Sequence, residues 1–381
     1  MESGTVTQPR ALGRTRAVPQ AKSRFWDQPV SWWAAAGAAL LAYFTYIIVS
    51  WILSDDFERI PAGPTPVPGW MQAALVACVV GTILLCIWML WRFVYVPWRA
   101  EGKLTTMGAF GLATLTLWVQ DPLQNFQLPW FSYNHWLPNM GSWINQFPMI
   151  VEPHGEALSD PVYASLPGFV LLYFGGALVG NYVMNKARER NPEIGAPKLM
   201  ALSVLVCSFV FMCLELSWMR TGFYIYPNVI PSLTLFAGHY YQLPVYEIII
   251  DGFLTASMSW IVFFRNDKGE TVVERGLSNL KLSQGKKSLM SVLAFAFIMN
   301  LLFGAYNVVV QPFMHQGHTV PLTIQERSYF MGTYCGPGTD MACWNHALPI
   351  PEKNSAKVGP DGQLHPGSEP IPQAVPYKTT D

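Results

Sequence analysis

The sequence predicts an all-α fold: a polytopic bundle of seven transmembrane helices, with the N-terminus in the cytoplasm and the C-terminus outside. Three observations predict it. Of the 381 residues, 51% are hydrophobic and only 13% are charged, whereas a soluble protein carries about 25% charged residues. Seven apolar stretches approach or exceed the roughly 20 helical residues that cross a hydrocarbon core about 30 Å thick. The basic residues also alternate between connections. Arg10, Arg14, Arg16, Lys22 and Arg24 precede the first stretch, and Arg92, Arg99 and Lys103 lie in the second connection. Lys186, Arg188, Arg190 and Lys198 lie in the fourth, and Arg265, Lys268, Arg275, Lys281, Lys286 and Lys287 in the sixth. The odd connections hold only Arg59 and Arg220. Basic connections stay cytoplasmic, and seven crossings bring all of them to one side. The formal net charge is zero, so no global basic field draws nucleic acid.

Residues 1–29 form a basic cytoplasmic tail. The first stretch, Val30–Leu53, is too long for the apolar core of a cleaved signal peptide and reads as a signal anchor. Trp70–Trp91 follows, then Leu104–Gln120, the shortest. Asp121-Pro122 is expected to stop that helix, because a residue before proline avoids helical geometry. Val162–Asn185 carries Gly176 and Gly180, spaced for close helix packing. Leu199–Met219 is interrupted by Glu215, and Val245–Phe264 by Glu247 and Asp251. Ser288–Gln311 is the last. Residues 30–311 thus read as one seven-helix membrane domain. Residues 312–347 are an outer segment placed to pack over its mouth, and 348–381, rich in Pro, Gly and charge, a disordered tail. The absence of an internal repeat weighs against inverted-repeat transporters.

The outer connection Asp121–Pro161 holds no Lys or Arg, but it holds Phe126, Trp130, Phe131, Tyr133, Trp136, Trp143 and Phe147. Two readings account for so many rings: a lid over a site and an aromatic belt at the headgroups. Arg220–Pro244 is similarly rich in Tyr, and within it Ile230–Ala237 is too short to span and reads as a segment dipping into the membrane against protein. Cys78, Cys86, Cys207 and Cys213 fall inside the apolar stretches as small core residues. Cys335 and Cys343 fall in the outer segment, where a disulfide and two free thiols are both open.

A carboxylate inside a bilayer is costly and marks a functional candidate. Glu247 and Asp251 lie one turn apart on one helix face. Two like charges in an apolar medium would share a proton, giving one acid and one base. The plainer alternative is that Glu247 reaches the interface while a structural hydrogen bond neutralises Asp251. Glu215 is a third catalytic candidate and Asp121 a fourth. Arg220 either pairs with Glu215 structurally or orients it or a substrate oxygen. Asn300, Gly304, Asn307 and Gln311 share one face of the last stretch, as a cavity lining or as interhelical glue. All seven histidines (His135, His154, His239, His315, His318, His346 and His365) are on the outer side, but no metal motif is present and no metal is expected. His135 and His239 read as acid/base or hydrogen-bonding groups at the mouth, with Trp130, Tyr133, Asn134 and Tyr246 as substrate-contacting neighbours. No P-loop, dinucleotide fingerprint or Gly-x-Ser-x-Gly elbow is present, so nucleotide use and serine-hydrolase chemistry are not expected.

Asp121-Pro-Leu-x-Asn-Phe with Tyr133-Asn134, then Arg220-x-Gly-x-Tyr-x-Tyr-Pro, then Gly238-x-Tyr-Tyr-Gln-x-Pro-x-Tyr-Glu247, form a set. With them, residues 30–311 resemble the AveC-like spirocyclase family of actinomycete membrane proteins. The resemblance implies spiroketal closure on a polyketide and assigns no catalytic residue. The acids fit that chemistry independently. A dihydroxy ketone becomes a spiroketal by two additions and loss of one water, with a carboxylic acid protonating the carbonyl and a carboxylate accepting the hydroxyl proton. The function expected is a membrane-embedded, cofactor-free cyclase or dehydratase in the cell membrane. Its expected partners are membrane lipid and a lipophilic hydroxy-ketone, polyketide or terpenoid substrate. The alternatives are a proton-coupled transporter or binding protein for a lipophilic small molecule, and a scaffold for another membrane enzyme.

Overall fold

A computed structural model describes residues 25–148, 150–152, 154–317, 319–336, 339, 341–345, 357–359 and 363–365. The basic tail before Phe25, most of the tail expected to be disordered, and His318 and His346 lie outside the described residues. The chain is a polytopic helical bundle. In order come α1 (Pro29–Ile52), α2 (Gly69–Glu101), the short α3 (Thr106–Thr114), α4 (Val162–Arg190), α5 (Ala196–Thr221), α6 (Val245–Phe263) and α7 (Gln284–Met314). All but α3 are long and apolar enough to cross a membrane. Prolines open α1 and α5, where the missing N–H costs nothing. Gly102 after α2 (φ 66°) and Gly222 after α5 (φ 76°) take the left-handed conformation that ends a helix.

The third stretch departs from expectation. It helps bridge the bundle in two pieces, α3 and a 3-10 segment, Leu117–Asn125. The Thr114 and Thr116 hydroxyls bond back to the Phe110 and Ala113 carbonyls where the helix gives way. Asp121-Pro122 therefore lies inside the 3-10 segment instead of ending a helix. At about 1.5 Å per α residue and 2.0 Å per 3-10 residue, the two pieces cover roughly 30 Å.

The connections gather at two ends. At one, Val30 N–H donates to the Arg275 carbonyl (3.2 Å) and Asn279 to the Gln28 side chain (2.8 Å). At the other, β1 (Ser132–Tyr133) pairs antiparallel with β2 (Tyr224–Ile225), Ser132 opposite Ile225 and Tyr133 opposite Tyr224. The C-terminal helices α8 (Leu322–Gln325) and α9 (Ser328–Met331) join them. His135 N–H donates to the Tyr329 carbonyl (2.7 Å), Thr65 N–H to the Ser328 hydroxyl (2.9 Å) and Ile60 N–H to the Asn139 side chain (3.0 Å). The first, third and fifth connections and the C-terminal segment thus form one folded cap, which includes a Cys335–Cys343 disulfide.

The loop rings fill this cap and its seat on the helices. Trp130, Phe131, Tyr133, Trp143 and Phe147 are buried, and Trp143 donates to the Val119 carbonyl (2.7 Å). The Ile230–Ala237 stretch makes a turn and a small hairpin with Leu233, Leu235 and Phe236 exposed, so it does not dip against protein. Gly176 and Gly180 do mark close packing: α4 lies against Thr255 and Ser259 of α6 there. Cys86 and Cys207 are buried, but Cys213 faces outward and is no core residue.

Candidate active site

Where α5 ends, α6 begins and the 3-10 segment passes, four carboxyls converge. Glu215 lies seven residues before Gly222, and Glu247 sits in the first turn of α6, where the helix dipole favours an acid. Asp251 is one turn further, and Asp121 comes from the 3-10 segment. None is more than 3% exposed. All four line a single cavity of about 50 Å³, together with Gln124 and the phenols of Tyr133, Tyr173, Tyr224, Tyr226 and Tyr306. No Lys, Arg or His is among the lining residues.

Each acid has a tyrosine. Tyr133 donates to Asp121 Oδ2 (2.8 Å), Tyr226 to Glu215 Oε2 (3.0 Å) and Tyr173 to Asp251 Oδ2 (3.3 Å), while Tyr306 bonds Glu247 Oε1. Tyr173 is carried on a π-helical turn, Val170–Gly175, within α4, and such turns recur at functional sites. Burial first, then the neighbouring Glu215 carboxyl, holds the Tyr224 and Tyr226 phenols well above the ordinary range, so both stay neutral. A hydrogen-bonded line runs through the cavity wall. Tyr306 OH lies 3.2 Å from Gln124 Oε1, and Gln124 Nε2 donates to Asp121 Oδ1 (3.1 Å). Glu247 Oε2 is buried with no hydrogen-bond partner among the described residues.

Several expected contacts are elsewhere. Arg220 neither pairs with Glu215 nor lines the cavity. Its guanidinium sits 3.7 Å from the Tyr241 ring centre, because five residues along a helix turn a side chain well away from its predecessor. His239 stacks on the same Tyr241 at 4.9 Å, outside the cavity. His135 is fully buried in the cap between Ser132 (3.5 Å) and Thr333 (3.2 Å). Burial lowers it to about 3, against a smaller opposing pull from the Pro61 carbonyl. Such a neutral, enclosed imidazole ties the cap together and is no acid/base group at a mouth. Asn134 likewise joins the cap, donating to the Gly222 carbonyl (2.9 Å). Trp130 and Tyr246 form a layer behind the site: Trp130 packs on Tyr226 (5.1 Å) and Tyr246 (5.9 Å). Asn300 and Asn307 face a different space, between α1 and α7. Among the described residues no cluster of three His, Cys, Asp or Glu is placed to hold a metal.

Sequence reasoning missed Gln124 and four of the five tyrosines. Tyr224 and Tyr226 stand inside the Arg220-x-Gly-x-Tyr-x-Tyr-Pro motif, and Tyr306 adjoins Asn307, so signals were present. Tyr173 had none beyond its place in an apolar stretch.

Helices of membrane-crossing length around buried carboxyls and phenols, closed by a folded cap, define the class: a polytopic membrane protein with an acidic interior chamber. The family model described as "Spirocyclase AveC-like" matches residues 102–330, more than half of the chain, and the chain belongs to this family. The match leaves α1 and α2 out and runs past α7 into the cap, so it starts later and ends later than the motifs alone suggested. All four chamber acids fall within it. No curated protein and no solved structure matches the chain.

Proposed function

We propose that this protein is a cyclase or dehydratase of the spirocyclase type, acting on a lipophilic hydroxy-ketone of polyketide or terpenoid character. The observation that carries the reading is the convergence of Asp121, Glu215, Glu247 and Asp251 on one phenol-lined, cation-free cavity. The enzyme resides in the cell membrane with its basic connections inward and its cap outside.

The chemistry follows from the donor set. A protonated carboxyl gives its proton to the ketone oxygen, and an ionised neighbour takes the proton of the attacking hydroxyl. The new hemiketal hydroxyl is then protonated and leaves as water. The resulting oxocarbenium ion is stabilised by the remaining carboxylates in a site of low dielectric, and the second hydroxyl closes the ring as its proton is taken up. Glu247 is assigned as the proton donor, since its unpartnered Oε2 belongs to a lining residue. Asp251, one turn away, is assigned as the base. Tyr306 and Gln124 link Glu247 to Asp121 by hydrogen bonds that hold the carboxyls in register, and the proton taken from the second hydroxyl by Glu247 restores the starting state. Neither a redox nor a nucleotide cofactor is needed for this balance.

The test is mass spectrometry of lipid extracts from a deletion strain, a wild-type complement and an Asp251→Asn complement. The expected result is a compound heavier by one water than the wild-type product, accumulating in the deletion and Asp251→Asn strains. Loss of acid–base help is worth about 10²–10⁴-fold in rate. Full product formation by Asp251→Asn would remove the assigned base. Vectorial movement of an unmodified ligand, with no conversion, would favour the proton-coupled transport reading instead.

A further inference from the structure

The chamber, at about 50 Å³, has room for the reacting atoms and not for a whole lipophilic molecule, since drug-sized ligands occupy pockets of about 300–1,000 Å³. A larger space lies on the other side of its wall: a groove of about 1170 Å³ between α1, α7, the 3-10 segment and the cap loop. The two helices meet where Gly37 lies on the Leu293 backbone, a contact with no room for a side chain. The groove runs from there past Leu40 and Phe44 toward the cap residues Phe126 and Phe147. Its rim residues Leu301 and Val308 are 56% and 71% exposed on a helix of membrane-crossing length, so it opens sideways to lipid.

This groove is not simply greasy. α7 turns Asn300, Gly304, Asn307 and Gln311 into it. Asn300 is satisfied, accepting from Gln120 and donating to Thr116, each at 2.7 Å. Asn307 is not: it is 6% exposed, and neither its Oδ1 nor its Nδ2 has a hydrogen-bond partner among the described residues. Gln311 Oε1 is also buried and has no partner among the described residues. Unsatisfied buried amides are rare and need an occupant or another explanation. Gly304 leaves space beside them, since a Cβ there would meet only Gln120 Oε1 at 3.4 Å. The wall shared with the chamber is thin. Gln120 and Leu123 line the groove while Asp121 and Gln124 line the chamber, and Asn307 lines the groove while its neighbour Tyr306 lines the chamber.

From this juxtaposition we infer that the groove is a binding site for an oxygenated lipophilic small molecule. The ligand enters laterally from the bilayer, and its hydroxyl or carbonyl group pairs with the Asn307 and Gln311 amides. Identifying that molecule with the substrate rests on the function proposed above, whereas the site itself rests on the groove.

The experiment uses the full-length protein in lipid nanodiscs with two photoreactive alkyne probes, a long-chain hydroxy-ketone and the same chain without oxygen. Saturable labelling of peptides containing Leu40–Phe44 and Asn300–His315 is expected from the hydroxy-ketone. It should exceed the hydrocarbon by about tenfold, the worth of a hydrogen bond or two. Asn307→Leu should abolish that preference. Val308→Trp, at an exposed rim position that folding tolerates, should block both probes. Equal, unsaturable labelling by the two probes, or labelling spread over the exposed faces of α2 and α5, overturns the site as mere lipid contact. Asp251→Asn should leave labelling unchanged. If labelling is as expected but Asp251→Asn converts normally, the groove stands and the proposed reaction falls. If conversion depends on Asp251 while labelling is diffuse, the reverse holds.

Discussion

Two clusters of buried acids occupy opposite ends of this molecule, and they are built differently. Near the N-terminal end of the bundle, Glu274 accepts from Ser291 (2.7 Å), Thr106 (3.0 Å) and Thr271 (3.2 Å). Beside it Glu270 accepts from Ser278 N–H (2.8 Å), Gly276 N–H (3.2 Å) and Asn266 (3.2 Å). Fixed neighbours bond every one of these carboxylate oxygens, and the cluster ties the start of α3 to the sixth connection and to α7. In the chamber, Asp251 has two long bonds, at 3.3 and 3.4 Å, and Glu247 has one oxygen with no partner among the described residues. Burial alone therefore does not distinguish a structural acid from a reactive one. The distinction is whether the surrounding protein has already filled its hydrogen-bonding sites.

The sharpest way to break this comparison is to remove one acid of each kind. Glu274→Ala strands two buried hydroxyls, of Thr271 and Ser291, and the half-buried one of Thr106, and is expected to cost about 3 kcal/mol, read as a large fall in thermal midpoint in detergent. Glu247→Gln keeps the shape and one acceptor for Tyr306, so its midpoint should stay near wild type while conversion falls at least about 100-fold. Equal losses of stability in the two variants would erase the distinction.

Smaller effects come from pH, and their signs oppose. Burial would raise Glu270, but hydrogen bonds from Ser278, Gly276 and Asn266 outweigh it and bring it down to about 2, below the ordinary glutamate value of about 4.3. Its contribution to stability is present above the unfolded value and is lost as pH falls through about 2. The midpoint gap between wild type and Glu270→Gln should therefore close between pH 5 and pH 2. Asp160, buried in the cap, is pushed up to about 7 by burial, with Ser142 pulling the other way. A raised carboxyl binds a proton more tightly when folded, so stability falls as pH rises from about 4 toward about 7. Asp160→Asn should match wild type at pH 4 and gain a few degrees at pH 8. A midpoint shift independent of pH would show that Asp160 acts by packing alone.

The bundle and the chamber acids were legible for one reason: charge in an apolar run is rare. Glu215, Glu247 and Asp251 stand out in their helices without any knowledge of neighbours. The tyrosines do not, because a phenol is ordinary in a membrane helix until an acid lies within reach, as Glu247 does of Tyr306. The amide stripe was legible as a face, but helical periodicity gives no neighbour. Asn307 and Tyr306, one residue apart, serve two different spaces. The break in the third apolar stretch was hidden too. Its apolar content is continuous to Val119, and the 3-10 turn is set by tertiary bonds such as Gln120 to Asn300 (2.7 Å). Arg220 misled because proximity in sequence to Glu215 stood in for direction in space, and His135 because a place in an aromatic outer loop stood in for exposure at a mouth.

The cap is stitched from segments synthesised far apart in time. Thr65 meets Ser328 across 263 residues, and His135 meets Tyr329. A growing chain makes its helices in order, so the strand pair of Tyr133 with Tyr224 and the bond of Ile60 to Asn139 have both partners before the last helix, whereas Thr65 and His135 wait for Ser328 and Tyr329 to follow it. The cap is therefore completed only after α7 is made. A nascent chain stalled within α7 carries all four acids but lacks the C-terminal part of the cap, so the cap is the last part of the fold to be finished.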